Sequence, residues 1–439
     1  MFEPKYHIFP IKGWMNDPNG LVYFKGQYHV FYQYYPKDSQ WGPMHWGHVV
    51  SKDLIHWKTE PIALYPDIED GCFSGSAIVK DNNLFLIYTS HNENKDGLIT
   101  ENQKLAISED GIHFSKFPQP IIVNDTNDIH DFRDPKVFER DGKYYTIVGT
   151  KNKENMGQVK LYSSPDLYNW KFCSILAQSK STNDEGYMWE CPDIFRINGE
   201  DVLLFSPQGI KAKETEFKNL YQTGYLLGQM DWNARKLVRE KDFKELDSGH
   251  DFYATQTFLT PDGRRILFGW LDMWESKFKE QEEGWAGMLT FPRELLVQND
   301  RLIQRPIKEI DKLYDGILAR EESRHIQKQF DTHQLEIDLA NKQITNNFEM
   351  KISYGQQQIK LTLKDDFLIL NRTDSTNRFV KINTQSKLRL QILCDTSSVE
   401  IFVNDGIATF SERLYGSAGC NLEVKSGSDC SCLVRKLSI

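Results

Sequence analysis

The segment Ser51-Lys-Asp-Leu-Ile-His-Trp57 returns as Ser108-Glu-Asp-Gly-Ile-His-Phe114 and again as Ser164-Pro-Asp-Leu-Tyr-Asn-Trp170. The starts differ by 57 and 56 residues, and each copy follows a β-rich run. A second series interleaves with the first. Alternating or apolar runs flank short turns at Lys25-Gly26, Asp81-Asn82, Asp141-Gly142, Asn198-Gly199 and Asp262-Gly263. Asn-Gly and Asp-Gly between β-branched and aromatic runs are the strongest short-range hairpin signal. With Gly26, Asn82, Gly142, Gly199 and Gly263 as markers, the intervals are 56, 60, 57 and 64 residues. Four strands fit into one interval at ordinary strand and loop lengths. Four-stranded units repeated in this way can close radially as propeller blades. A β-sandwich with accidental repetition is the alternative, and two markers sharing one period argue against it. The spacing predicts an all-β chain with a five-bladed β-propeller over residues 1–300.

The repeat then stops. Ile307, Ile310 and Leu313 sit three apart, which predicts a linker with a short helix over 301–318. From 319 to 439 eight alternating runs return, with turns such as Asn404-Asp-Gly406. They read as a separate C-terminal β-sandwich, which is also a candidate surface for homo-oligomer contacts.

Composition narrows the function. The net charge is −9, so the basic footprint of a nucleic-acid binder is missing. A mean hydropathy of −0.55 and no apolar run near ~18 residues argue against a membrane helix. The first residues lack the basic and apolar regions of a secretory signal. The seven cysteines are irregularly spaced and do not suggest a disulfide framework. Free thiols in a reducing cytoplasm are expected, with no metal and no cofactor. Aromatic residues make up 13% of the chain. Most are expected to fill blade cores: Trp46, Trp57 and Trp170 recur with the period, and His48, His56 and His113 belong to the same structural repeat.

In a propeller the inner strands surround a shared funnel, so functional groups should recur at equivalent places in several blades. Asp17 lies 9 residues before Gly26, Asp134 lies 8 before Gly142, and Glu190 lies 9 before Gly199. The matching residues in blades two and five are Ser74 and Ala254, the latter beside Tyr253. A proline follows each acid within two residues and restricts the backbone that presents it. Three carboxylates at one mouth repel each other, with Arg133 available to offset part of the repulsion. Two carboxylates flanking a glycosidic bond are the standard requirement for glycoside hydrolysis.

The blocks Trp14-Met-Asn-Asp-Pro-Asn-Gly20, Phe73-Ser-Gly75, Arg133-Asp-Pro135 and Glu190-Cys-Pro192 resemble the signatures of glycoside hydrolase family 32, and Ser398-Val-Glu-Ile-Phe402 resembles a strand of that family's sandwich. The family contains invertases, inulinases, levanases and sucrose-6-phosphate hydrolases. The resemblance implies a retaining, metal-free β-fructofuranosidase acting on a small-molecule fructoside. By motif, Asp17 would be the nucleophile, Glu190 the acid/base and Asp134 the transition-state stabiliser. Asn16, Gln33, Trp41, Phe73, Ser74 and Arg133 would line the fructose pocket, with Trp14 as an apolar wall. Tyr253 and Trp270 are further candidates. A fructosyltransferase would use the same carboxylates, and a lectin-like propeller is the non-enzymatic rival. Sucrose and sucrose 6-phosphate are the expected substrates, with short fructans next. A phosphate would need cations, for which Lys211, Lys213, Lys277 and Lys279 are candidates.

Overall fold

In a computed structural model, which describes residues 1–67, 69–124, 130–341, 347–383, 387–416 and 419–439, the repeats fold as five antiparallel blades. The first strand of each blade is innermost: Gly13–Phe24, Gly71–Lys80, Phe132–Arg140, Met188–Ile197 and Tyr253–Leu259. These strands pack against one another across the blades.

The two sequence markers have separate physical jobs. The hairpin dipeptides join the first and second strands. Lys25-Gly26, Asp81-Asn82, Asp141-Gly142 and Asn198-Gly199 have positive φ at both positions. That twist matches the twist of the strands it joins. The Ser-x-Asp motif fastens the turn after the third strand. Asp53 accepts hydrogen bonds from the backbone N–H groups of Ile55 and His56 at 3.2 and 3.0 Å. Asp110 repeats this with Ile112 and His113 at 2.8 Å each. Asp166 does the same for Tyr168 and Asn169 at 2.9 and 2.8 Å. His56 and His113 bond these aspartates through Nδ1, so they are turn-holding residues.

Blade five differs. Its second strand, Arg265–Trp270, and third strand, Arg293–Gln298, are separated by a long excursion. Within it, Trp285–Ala286 pairs in parallel with Gly13 and Trp14 of blade one. The ring is thereby closed by hydrogen bonds between its last and first blades.

The segment expected as a linker over 301–318 is largely strand. Arg301–Pro306 pairs with Arg293–Gln298 as the outer strand of blade five. The turn between them is Asn299-Asp300, with positive φ at both residues. Lacking glycine and flanked by polar residues, it does not stand out in the sequence. The helical element is the 3-10 turn Lys308–Leu313. Tyr314–Phe330 is already a strand, largely exposed and rich in charge, as suits a solvent-facing edge.

The C-terminal domain is a nearly closed sandwich. Cys420–Leu437 ties its halves together, pairing with Glu349–Tyr354 through its first residues and Leu335–Asn341 through its last. An apolar core of Ile, Leu, Val and Phe lies between the halves.

Buried charge joins sandwich to propeller. Arg293 of blade five is fully buried. It pairs with Glu400 of the sandwich at 2.5 Å and with Asp247 at 3.1 Å. Arg413 reaches back to Asp272 at 2.6 Å and Glu280 at 2.8 Å. His7, ahead of blade one, bridges Asp395 and Glu400 at 2.8 and 2.9 Å. Removing one partner leaves a buried charge uncompensated, so Arg293→Ala should cost about 3–5 kcal/mol in denaturant unfolding. Burial disfavours the His7 imidazolium, but the bonds to Asp395 and Glu400 outweigh it and raise the pKa from 6.5 to about 9. A pKa raised on folding contributes stability that is complete below pH 6.5 and is lost as pH rises through about 9. The melting temperature should fall across that window, and His7→Gln should flatten the fall. An unchanged slope in the variant would refute the assignment.

Candidate active site

Each innermost strand slips register at a corresponding place. In blade three, Arg133 pairs with Gly149 and Lys136 with Ile147, leaving Asp134 and Pro135 opposite Val148. In blade four, Glu190 pairs with Ser206 and Asp193 with Leu204, leaving Cys191 and Pro192 opposite Phe205. Blade five leaves Ala254 and Thr255 opposite Gly269, and blade one leaves Asn16 and Asp17 opposite Gln33. In blade two, Ser74 is the extra residue between Phe73 and Gly75. Asp134, Cys191 and Ala254 take positive φ at 64°, 48° and 49°. Such bulges free residues from the ladder and re-aim their side chains.

The counting put the acids at equivalent places, but they do not share one register position. Asp134 is the first residue of its bulge, Asp17 the second, and Glu190 immediately precedes one. The bulges turn these staggered positions toward one place. Close blade packing assists. Any Cβ at Gly149 would stand 2.0 Å from the Trp189 carbonyl oxygen, so a side chain there would drive blade four from blade three.

Every acid is held by several partners. Asp17 Oδ1 accepts from Asn16 at 2.9 Å and Oδ2 from the Ser74 hydroxyl at 2.5 Å. Cys191 Sγ lies 3.5 Å from Asp17 and 3.6 Å from Asp134. The Cys191 backbone N–H donates to Asp134 at 2.8 Å. Glu190 receives Arg133 Nε at 3.0 Å, Gln208 Nε2 at 2.8 Å and the Tyr253 hydroxyl. The same guanidinium also meets Asp131 at 2.7 Å and Glu101 at 3.3 Å. Its planar fork spans three carboxylates in a way that a lysine ammonium does not.

Electrostatics follow from this crowding. Burial raises the Asp17 carboxyl above its ordinary value, against the bonds from Ser74 and Asn16. Burial and the neighbouring Glu190 and Asp17 push Asp134 up to about 8, with Arg133 pulling the other way. Burial also opposes ionisation at Glu101 and Asp131, but Arg133 prevails and holds both below their ordinary values. The Cys191 thiol is driven well up by burial and then by Asp17 and Asp134, so it stays a neutral S–H between two acids. Close to neutral pH the cluster retains a proton that its members share.

The carboxylates open on a cavity of about 560 Å³. Of the residues expected from sequence, Asn16, Asp17, Gln33, Trp41, Phe73, Ser74, Arg133, Asp134 and Glu190 line it. Trp14, Tyr253 and Trp270 are buried behind its wall. Trp14 stacks on Trp274 with ring centroids 5.9 Å apart, and it is Trp274 that faces the cavity. Trp270 packs against Trp14 and Trp274. The Tyr253 hydroxyl donates to Glu190 from behind that wall. Phe73 stacks on His91 at 4.1 Å, while Trp41 stands half exposed at the rim.

Sequence reasoning missed His91, Glu93, Ile99, Glu101, His130, Asp131 and Trp274, which complete the lining. Trp274 arrives on the blade-five excursion, which has no counterpart in the repeat. Asp131 stands two residues before Arg133, and that proximity was the available signal. Lys211, Lys213, Lys277 and Lys279 do not line the cavity. Lys213 pairs with Asp184, and Lys279 lies over the Tyr415 ring.

Comparison with known proteins gives one consistent result. Residues 7–306 match the model for the glycosyl hydrolases family 32 N-terminal domain, and residues 311–438 match that for the family's C-terminal domain. The chain is 42% identical to a sucrose-6-phosphate hydrolase of Escherichia coli, over 94% of this chain and 89% of that one. It is 40% identical to a raffinose invertase of Escherichia coli, over 94% and 90%. A mutant β-fructofuranosidase of Bombyx mori, solved in complex with sucrose, superposes with a TM-score of 0.92 at 38% identity, over 99% of this chain and 94% of that one. With its propeller, its sandwich and three carboxylates on one cavity, the chain belongs to glycoside hydrolase family 32.

Proposed function

We propose that the protein is a retaining β-fructofuranosidase that cleaves terminal fructose from small fructosides such as sucrose. The observation that carries the proposal is the meeting of Asp17, Asp134 and Glu190, from three blades, on one cavity. The sucrose bound to the Bombyx mori relative supports the substrate class. The chemistry is assigned to the propeller, with the sandwich as its support. Seven unpaired thiols suit a reducing cytoplasm.

In this reading Asp17 attacks the anomeric carbon of the fructosyl unit. Its hydrogen bonds from Asn16, Ser74 and Cys191 favour the ionised form. Glu190, as the acid of this reading, gives its proton to the bridging oxygen as that bond breaks, so the sugar departs as an alcohol. A water then attacks the fructosyl–Asp17 ester. Glu190 accepts the water's proton, fructose leaves and Asp17 is restored. Asp134, deep in the site, accepts hydrogen bonds from ring hydroxyls as positive charge builds on the sugar.

Asp17→Ala and Glu190→Ala should each lower kcat on sucrose by about 10³-fold or more with the fold preserved by circular dichroism. Near-normal turnover by either folded variant would overturn the assignment. On an activated fructoside whose leaving group needs no proton, Glu190→Ala should recover much of its rate and Asp17→Ala should not. The reverse pattern would exchange their roles.

The pH profile provides a further check. Burial raises Asp17, so the acid limb of kcat/KM should lie above the ordinary carboxylate value of 3.8. The cluster's shared proton leaves near the value of about 8 found at Asp134, so kcat/KM should fall as pH rises through it. Rates that stay level to pH 10 would show that no such proton is used.

A further inference from the structure

We infer that the outer half of the cavity selects an uncharged leaving-group sugar and rejects a phosphorylated one, making sucrose the preferred disaccharide over sucrose 6-phosphate. The inference rests on the fructosidase function proposed above and refines its substrate. A fructosyl ring held among Asp17, Asp134 and Glu190 leaves the remaining sugar one direction, toward the mouth. Of the lining residues, Trp41 and Glu93 are exposed and so lie nearest solvent, and His91, Ile99, His130, Asp131 and Trp274 are half-buried.

Charge decides what such a wall accepts. Among the described residues lining the cavity, Arg133 is the sole lysine or arginine, set against six carboxylates. The Arg133 guanidinium is already engaged by Glu190, Asp131 and Glu101. Lys151, the other cation at Asp131, is bound to it at 2.7 Å. Phosphate recognition depends on charge-assisted hydrogen bonds from arginine or lysine. A phosphate at this mouth would meet Glu93 and Asp131 instead, and like charges facing across an interface are strongly unfavourable. Neutral hydroxyls, by contrast, donate readily to these carboxylates, and Trp274 and Ile99 supply apolar surface for a sugar face. The phosphate in the name of the Escherichia coli relative therefore has no matching cation in this lining.

The test measures fructose release from sucrose and sucrose 6-phosphate at low ionic strength. Sucrose should have the higher kcat/KM by about tenfold or more, and added salt should narrow the gap by screening. Glu93→Lys should raise kcat/KM for sucrose 6-phosphate relative to sucrose. Equal or better turnover of sucrose 6-phosphate by the wild-type protein would overturn the inference and leave the fructosidase function standing. A preference for sucrose that neither salt nor Glu93→Lys alters would overturn its electrostatic basis. If the variant does not fold, the salt dependence of the wild-type ratio decides. No fructose from either substrate would overturn the fructosidase function itself.

Discussion

The interrupted ladder of the inner strands is the constraint on which the site depends. A regular strand sends alternate side chains to opposite faces of its sheet, so it cannot direct neighbouring residues into the central channel. Here each inner strand carries extra residues at a corresponding place. The bulges re-aim Asp17, Asp134 and the neighbourhood of Glu190, and they hold Asp134 and Cys191 at positive φ. Such backbone is costly for residues with side chains and persists where its surroundings enforce it. Those surroundings are the neighbouring blades. The Ser76 hydroxyl of blade two bonds the Pro135 carbonyl of blade three at 2.6 Å and receives the Val137 N–H at 2.9 Å.

Crowding the carboxylates creates an electrostatic problem that the site turns to use. Three acids with full compensation would all stay ionised and hold no proton to donate. Arg133 compensates partially. It is drawn toward Glu190, Asp131 and Glu101, while Asp134 remains buried and raised to about 8. The cluster can then supply a nucleophilic carboxylate and a proton at one pH, the combination that acid-assisted glycoside cleavage requires. The mouth has a different charge balance. There the carboxylates lack a free cation among the described residues, and that deficit distinguishes neutral from phosphorylated leaving groups.

Some of this was legible in the residues and some was not. The hairpin dipeptides marked the blades because a tight turn needs positive φ at adjacent positions, a demand that leaves a chemical trace. The Asp53, Asp110 and Asp166 turns left a similar trace. Arg301–Pro306 escaped notice because Asn299-Asp300 meets the same demand without glycine. Asp17, Asp134 and Glu190 could be picked out by their place before the turn, although their exact register could not. Counting along a chain does not register where a ladder slips. Trp14, expected as an apolar wall, and Trp270, a further pocket candidate, form the layer behind Trp274.

By itself the sequence determined what local chemistry can encode: the number of blades, their turns, the change to a sandwich and the acids of the blade motifs. Tertiary structure decided which groups share a space. It placed Trp274, Glu101 and Asp131 beside acids from distant parts of the chain, set Tyr253 behind Glu190, and locked the domains through Arg293, His7 and Glu400. The physical reason is that turn preference acts over a few neighbouring residues. Burial and Coulomb interactions act across space, and a linear pattern records them only where the fold has already brought the partners together.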